Sequence, residues 1–182
     1  VNRSHKKKTM SITNIMLMIL LLVIQLAYIP FVFWFVELGQ NTLTYKVTGQ
    51  HGWIYPTSPY GWFSFESLIS WTTMVIIFWS MYWFVFIPFR LPFWFSMGVS
   101  TLVGWVSEWL FGALAVPLFG HPMQIWPRSP LVYVSYFAIV WWFMNSILFY
   151  ILVILVPTIA AKLINGPVQQ QIGKDQPKKK TK

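Results

Sequence analysis

Residues 63–116 read FSFESLISWTTMVIIFWSMYWFVFIPFRLPFWFSMGVSTLVGWVSEWLFGALAV and decide the fold, because a short turn sequence divides them into two long apolar stretches. The stretches 63–87 and 93–116 are each long enough to cross a hydrocarbon core of about 30 Å, which requires about 20 helical residues. Only the sequence Pro-Phe-Arg-Leu-Pro at 88–92 connects them. A connection this short predicts a tight antiparallel helical hairpin.

Two further apolar stretches, at 15–38 and 132–156, flank this hairpin along the chain. The sequence therefore predicts an all-α, polytopic membrane protein, a bundle of about four transmembrane helices within residues 15–157. The first stretch follows basic residues, as in a signal peptide, but it is about twice as long as a typical signal-peptide apolar region. No small-residue cleavage pattern follows it, so we expect a retained span. The segments 1–14 and 158–182 are predicted to be basic tails.

The composition excludes an ordinary soluble domain. Of the 182 residues, 57% are hydrophobic and 9% are charged, whereas about a quarter of the residues in a soluble domain are charged. The long apolar stretches must therefore face lipid or other protein. The sequence contains no cysteine, which excludes disulfides, thiolate metal sites and thiol nucleophiles.

The distribution of basic residues predicts the orientation in the membrane. With four spans, both tails share a side with Arg90, and this side holds eleven of the thirteen Lys and Arg residues. Only Lys46 and Arg128 fall in the other two connections. The positive-inside rule therefore places both termini in the cytoplasm, and the retained first span indicates a prokaryotic plasma membrane. Basic tails suit lipid headgroups, so the net charge of +9 does not indicate nucleic-acid binding.

Apart from Arg90, the charged residues and histidines outside the tails are predicted to lie toward the outer face. Glu37 closes the first span and Glu66 opens the second. Glu108 lies about 22 Å into the third span from its cytoplasmic start, at about 1.5 Å per residue. His51 and His121 lie in the two outer connections.

Glu108 is the most informative residue, because an ionised carboxylate in hydrocarbon is costly and must face protein or water. A four-residue spacing predicts that Glu108 shares one helix face with small side chains that admit a neighbouring helix. The residues assigned to this helix-packing face and to the facing helix are Ser100, Gly104, Glu108, Gly112 and Asn145.

Three interpretations of Glu108 remain open from the sequence. In the structural one, its carboxyl group accepts hydrogen bonds from Trp, Tyr, Ser or Asn145 of a neighbouring helix, or pairs with Arg128, and fixes the packing. In the functional one, Glu108 forms a proton-handling, metal-binding or acid–base site with Glu66 or Glu37 and one or both histidines. In the third, a water-filled cavity solvates the carboxylate.

The candidate catalytic residues are Glu108, Glu66 and His121, and the weaker candidate metal ligands are His51, His121 and Glu37. Neither histidine has a partner at ligand spacing such as H-x-x-x-H, so each is more typical of a loop residue. Nucleotide-binding and serine-hydrolase motifs are missing. No internal repeat of useful length is apparent, which argues against an inverted-repeat transporter.

Half of the twelve tryptophans lie too deep in the predicted spans to belong to an interfacial aromatic belt. They are predicted either to fill helix interfaces or to contact a hydrophobic ligand, and the sequence does not separate the two. These residues are Trp71, Trp79, Trp105, Trp109, Trp141 and Trp142.

The function that the sequence favours is an accessory or structural transmembrane subunit of a larger complex, of an energy-converting, oxidase or monooxygenase type. Small-residue packing and aromatic surfaces suit burial against other membrane subunits or a second copy, within the lipid bilayer. The alternative is a small integral membrane enzyme that acts on a lipid-like or isoprenoid substrate at an outer Glu/His site. The sequence identifies no cofactor and no family.

Overall fold

The computed structural model describes residues 12–161, whose regular elements are all helices, with no strands among these residues. Four helices are long and apolar enough to cross a membrane, which confirms the predicted all-α class. The basic residues of the two tails, on which the predicted orientation depends, lie outside the described residues. The helices are α1 (Ile12–Thr48), α2 (Ser67–Met81), α3 (Phe93–Phe119) and α4 (Ala138–Tyr150), and π-helical segments at Tyr82–Phe86 and Ile151–Leu155 extend α2 and α4.

The first helix continues past its expected end at Leu38 and ends at Thr48. Glu37 therefore lies inside α1 and does not close it. The polar residues Gln40 and Asn41 resemble the start of a loop in the sequence, but both are buried in the structure. Their amide groups hydrogen-bond to other elements, which removes the cost of burying them within a helix.

The hairpin between α2 and α3 is present, and its turn occupies residues 87–92. Within it, the backbone N–H of Leu91 donates to the carbonyl of Phe86 at 3.0 Å. Because successive helices run in opposite directions, the two longer connections, 49–66 and 120–137, lie together at the other end of the bundle. We call this end the loop end.

The bundle consists of two helical pairs, α1 with α2 and α3 with α4. Aromatic rings from three helices stack at its centre. The ring centroid of Phe149 lies 3.9 Å from that of Phe33 and 4.4 Å from that of Phe78. Large apolar side chains cover the outside of the helices, where Leu20 is 55% and Ile69 is 60% exposed. Such a surface suits contact with lipid.

Two glycines allow close approach to α3. A Cβ atom added at Gly104 would lie 2.1 Å from Cε3 of Trp142, and one added at Gly112 would lie 2.5 Å from Cβ of Tyr133. Ser100 is also buried on this helix. Close packing at Gly104 brings the indole of Trp142 against the same helix that carries Glu108.

Candidate functional site: a cavity between two glutamates

The two halves of the chain are related by an internal repeat with an offset of 71 residues. The expectation that no useful repeat is present is therefore wrong. The identical residues are separated by long stretches of apolar residues. All of the apolar stretches in this chain resemble one another in composition, so the repeat is not apparent on inspection. The identical pairs include Trp34/Trp105, Glu37/Glu108, Gly49/Gly120, Ile54/Ile125, Pro56/Pro127, Ser58/Ser129, Pro59/Pro130, Ser64/Ser135, Trp71/Trp142 and Phe78/Phe149.

The hydrogen bonds of the two halves repeat as well. The indole N–H of Trp34 donates to the carbonyl of Ser64 at 2.7 Å, and that of Trp105 donates to the carbonyl of Ser135 at 2.8 Å. Each indole thereby links the first helix of a helical pair to the residues that directly precede the second helix of that pair. Two loop hydrogen bonds repeat in the same way. The backbone N–H of Tyr55 donates to the carbonyl of Gly61 at 2.7 Å, and the equivalent N–H of Trp126 donates to the carbonyl of Val132 at 2.6 Å. The hydroxyl of Ser58 donates to the carbonyl of Phe63, and the equivalent hydroxyl of Ser129 donates to the carbonyl of Val134.

The two loops meet through equivalent residues. The N–H of Ile54 donates to the carbonyl of Ile125 at 2.9 Å, and the N–H of Ile125 donates to the carbonyl of Ile54 at 2.9 Å. Reciprocal bonds between equivalent residues place a pseudo-twofold axis at this bridge. Because α1 and α3 both run toward the loop end, the axis runs along the bundle and the repeat is parallel, not inverted.

Glu37, in the first half, is held by donors from two elements. Its Oε1 accepts a hydrogen bond from the hydroxyl of Tyr55, and its Oε2 accepts one from the indole N–H of Trp71 at 2.9 Å. The Tyr55 hydroxyl in turn accepts the indole N–H of Trp53 at 3.0 Å. Burial, followed by the neighbouring Glu37, raises the pKa of Tyr55 well above its ordinary value. The phenol therefore stays protonated and continues to donate.

Glu108, in the second half, has an equivalent set of donors. Its Oε2 accepts the indole N–H of Trp142 at 2.5 Å, as Glu37 accepts that of Trp71. Its Oε1 accepts the indole N–H of Trp126 at 2.9 Å and the side-chain amide of Gln124 at 2.5 Å. Trp126 occupies the position equivalent to Tyr55, so an indole replaces a phenol in the same role.

Both glutamates line one cavity, whose volume is about 60 Å³. A site of this size has room for water or for a small polar group. Among the described residues, those that line the cavity include two carboxylic acids and no Lys, Arg or His. The other lining residues are Gln40, Trp53, Ser67, Ser70, Trp71, Met74, Phe111, Gly112, Met123, Gln124, Trp126, Ala138, Trp141, Trp142 and Asn145.

The cavity departs from the pseudo-symmetry at several lining positions, and one of these departures joins the two halves. Gln40 of α1 donates through Nε2 to Oδ1 of Asn145 on α4 at 2.9 Å, so the two halves are joined across the cavity wall. The equivalents of these two residues are apolar, Phe111 and Met74. The polar contact between Gln40 and Asn145 therefore has an apolar counterpart in the pseudo-symmetric position.

The structure does not bring the other candidate residues into the cavity. Glu66 is exposed beside the start of α2. The ring of His51 stacks on that of Tyr45 at 4.7 Å, and His121 lies beside Pro122, outside the cavity lining. No group of three or more His, Cys, Asp or Glu that could hold a metal ion occurs within residues 12–161.

The structure confirms some of the hydrogen-bond partners that were predicted for Glu108 and contradicts others. Glu108 accepts hydrogen bonds from Trp side chains, as one interpretation of the sequence proposed, whereas Asn145 bonds to Gln40 instead. Arg128 is exposed and is not among the partners of Glu108. Sequence reasoning missed that Glu37 and Glu108 occupy equivalent positions, and a comparison of the chain with itself at the 71-residue offset is the signal that finds this equivalence.

Two of the deep tryptophans, Trp71 and Trp142, donate to the glutamates, and Trp105 fixes the loop as described above. Trp141 lines the cavity. Trp79 is buried, and Trp109 is 40% exposed. The deep tryptophans therefore have different roles, and the one that concerns the site is the hydrogen bond that Trp71 and Trp142 each donate to a glutamate.

Comparison with protein-family models, with curated proteins and with solved structures finds no match for this chain.

Proposed function

We propose that the protein spans a prokaryotic plasma membrane four times, with both termini cytoplasmic and the loop end outside. The four long apolar helices support insertion into a bilayer. The basic residues at the tails and the turn support this orientation, since basic residues are enriched on the cytoplasmic side.

The sidedness is testable by labelling single cysteines, because the sequence has none of its own. On intact cells, a membrane-impermeant maleimide is expected to label Thr57→Cys in the first loop. Phe89→Cys in the turn between α2 and α3, where Phe89 is 71% exposed, is expected to react only after permeabilisation. The reverse pattern would show that the loop end is cytoplasmic.

We further propose that the protein binds a small cation in the cavity between Glu37 and Glu108. The observation that carries this proposal is that both carboxyl groups line one cavity whose described lining includes no basic side chain. Burying a carboxylate costs several kcal/mol unless an opposite charge or hydrogen-bond donors face it. Neutral indole, phenol and amide donors offset part of this cost, and a cation between the carboxylates would offset more.

Ligand-dependent stability tests the binding function. A ligand that binds only the folded state stabilises it by about 2.7 kcal/mol at 100 times its Kd. Protein in nanodiscs is therefore expected to unfold at a higher temperature in the chloride of sodium, potassium, ammonium or methylammonium than in N-methylglucamine chloride at equal ionic strength. An identical unfolding temperature in all five salts would contradict cation binding.

A second candidate function is acid–base catalysis on a lipid-like substrate, as the sequence suggested for Glu108. The geometry changes its partner from His121 or Glu66 to Glu37, because only Glu37 shares the cavity. Paired carboxyl groups in one partly apolar cavity are a common arrangement for proton transfer. This alternative predicts product formation from a lipid extract by the wild type and none by Glu108→Gln.

Membership in a larger complex stays a prediction from the sequence. The exposed apolar side chains support contact with partner subunits and with lipid equally. Solubilised native protein that migrates as a monomer of 21.4 kDa plus detergent would remove most support for a subunit role, without affecting the cation-binding proposal.

A further inference from the structure

We propose that the cavity wall formed by α1 and α4 is a binding site for one hydroxyl group, supplied by an alcohol or by water. Its residues are Gln40 of α1 with Trp141 and Asn145 of α4, all of which line the cavity. The site uses no carboxyl oxygen, so the proposal goes beyond the cation-binding function and does not rest on it. For the second candidate function, on which this last step rests, it names an alcohol as the substrate class.

The amide groups of Gln40 and Asn145 are joined by one hydrogen bond, which leaves one donor and one acceptor over. Gln40 is 9% and Asn145 is 3% exposed, and Nε2 of Gln40 donates to Oδ1 of Asn145 at 2.9 Å. Within residues 12–161, Nδ2 of Asn145 has no acceptor and Oε1 of Gln40 has no donor. Turning over both amide groups would exchange these atoms and still leave one donor and one acceptor. Buried polar groups are normally hydrogen-bonded, so the pair points to a ligand that both accepts and donates.

A second donor lies on the same wall. The indole N–H of Trp141 is buried and has no partner in the described part of the chain. Trp141 and Asn145 are four residues apart on α4, a spacing that places two side chains on the same face of a helix. The wall therefore offers two donors and one acceptor to a ligand in the cavity.

A hydroxyl group matches this set of donors and acceptors. Its oxygen accepts two hydrogen bonds and its hydrogen donates one, so it can use both N–H groups and Oε1 of Gln40. An ammonium group has no acceptor, and an ether or carbonyl oxygen has no donor. An anion would share the cavity with Glu37 and Glu108, and like charges at short distance repel. A water molecule also matches, with one hydrogen left for a further acceptor.

The surroundings of the site suit an alcohol that comes from the lipid phase. Val140 and Met144 precede Trp141 and Asn145 along α4, and both are exposed on the outside of the helix. The site therefore lies beside an apolar surface that suits contact with lipid. Inside the cavity, residues such as Phe111 supply apolar atoms to the lining. A hydroxyl group can thus bind at the wall while the hydrocarbon part of the alcohol contacts apolar side chains.

Nuclear magnetic resonance of the whole chain in nanodiscs, with isotope-labelled tryptophan, tests the site. The indole signal of Trp141 is identified by its loss in Trp141→Phe. The probes are n-butanol and its isomer diethyl ether, which has the same atoms but no hydroxyl hydrogen. Butanol is expected to shift the Trp141 N–H signal saturably and to bind at least about tenfold more tightly than diethyl ether, a ratio that corresponds to one buried hydrogen bond.

A cross-peak between the Trp141 N–H and water identifies the source of the hydroxyl group. Its loss at saturating butanol would show that the alcohol takes the site, whereas its persistence without any shift would show that water does. Equal binding of diethyl ether would overturn the hydroxyl site, because an acceptor alone would then suffice. A Trp141 N–H that contacts neither water nor butanol would overturn it as well. Cation binding and turnover are measured separately, so the failure of either function leaves this result intact.

A matched pair of variants locates the site. Trp141→Phe removes the indole N–H and keeps an aromatic ring, so the affinity for butanol is expected to fall by about tenfold. The methyl signals of Met74 and Met123, which line the cavity, follow the titration of this variant. Trp83→Phe makes the same change outside the lining, at an indole N–H that also lacks a partner among the described residues, and is expected to keep the wild-type affinity. An unchanged affinity in a folded Trp141→Phe protein would contradict the assignment of this donor.

Discussion

Glu37→Gln and Glu108→Gln are each expected to weaken cation binding by roughly 100-fold, which corresponds to about 3 kcal/mol for removing one charged partner of a buried pair. The two effects should be similar, because the glutamates occupy equivalent positions and each accepts an indole N–H from an equivalent tryptophan, Trp71 or Trp142. Titration of each variant with methylammonium chloride measures the loss.

The matched control is Glu66→Gln, since Glu66 is exposed and outside the cavity. This variant removes the same charge from the same end of the bundle and is expected to retain wild-type affinity. The unfolding temperature without ligand shows whether each variant is folded. A loss confined to one of the two cavity glutamates would mean that the halves do not share a site.

Gly104→Ala is expected to destabilise the protein by about 1–3 kcal/mol, the usual cost of overpacking. The new Cβ would lie 2.1 Å from the Trp142 ring, so the indole must move. Its N–H then no longer reaches Glu108, which it contacts at 2.5 Å, and cation affinity is expected to fall together with stability. Chemical or thermal unfolding in detergent measures the first effect and titration the second.

Gly98→Ala provides the control in the same helix. No atom lies within 4 Å of a Cβ added at Gly98, and alanine is favoured over glycine within a helix by roughly 0.5–1 kcal/mol. This variant is therefore expected to be as stable as the wild type or slightly more stable, with unchanged binding. Equal destabilisation by both substitutions would show that the Gly104 contact with Trp142 is not the cause.

In the first half of the chain, a different residue packs against the tryptophan that is equivalent to Trp142. Phe33 occupies the position equivalent to Gly104, and its ring stacks on that of Trp71 at 5.1 Å. Trp71 still reaches Glu37 at 2.9 Å. Both halves thus retain the glutamate and its indole donor, while the residue that packs against the indole differs between them. For this reason the repeat alone does not predict the packing contacts.

The sequence by itself determined the four apolar helices and the turn between α2 and α3. Spanning length and mean apolarity are local properties, and the Pro-bounded segment 88–92 leaves no room for another element. The sequence also singled out Glu108, because a carboxyl group inside an apolar stretch demands a partner whatever the fold. It did not place the end of α1, because the polar amides of Gln40 and Asn41 find partners only in the folded bundle.

Tertiary structure alone decided that Glu37, and not Glu66, His51 or His121, shares a cavity with Glu108. These two glutamates lie 71 residues apart, and no local pattern connects them. The packing of the two helical pairs and the reciprocal bridge between Ile54 and Ile125 bring them together. A membrane span can be predicted from the sequence because its hydrophobicity is the sum of the contributions of its residues. The position of a side chain relative to another helix depends instead on all the contacts between the two helices.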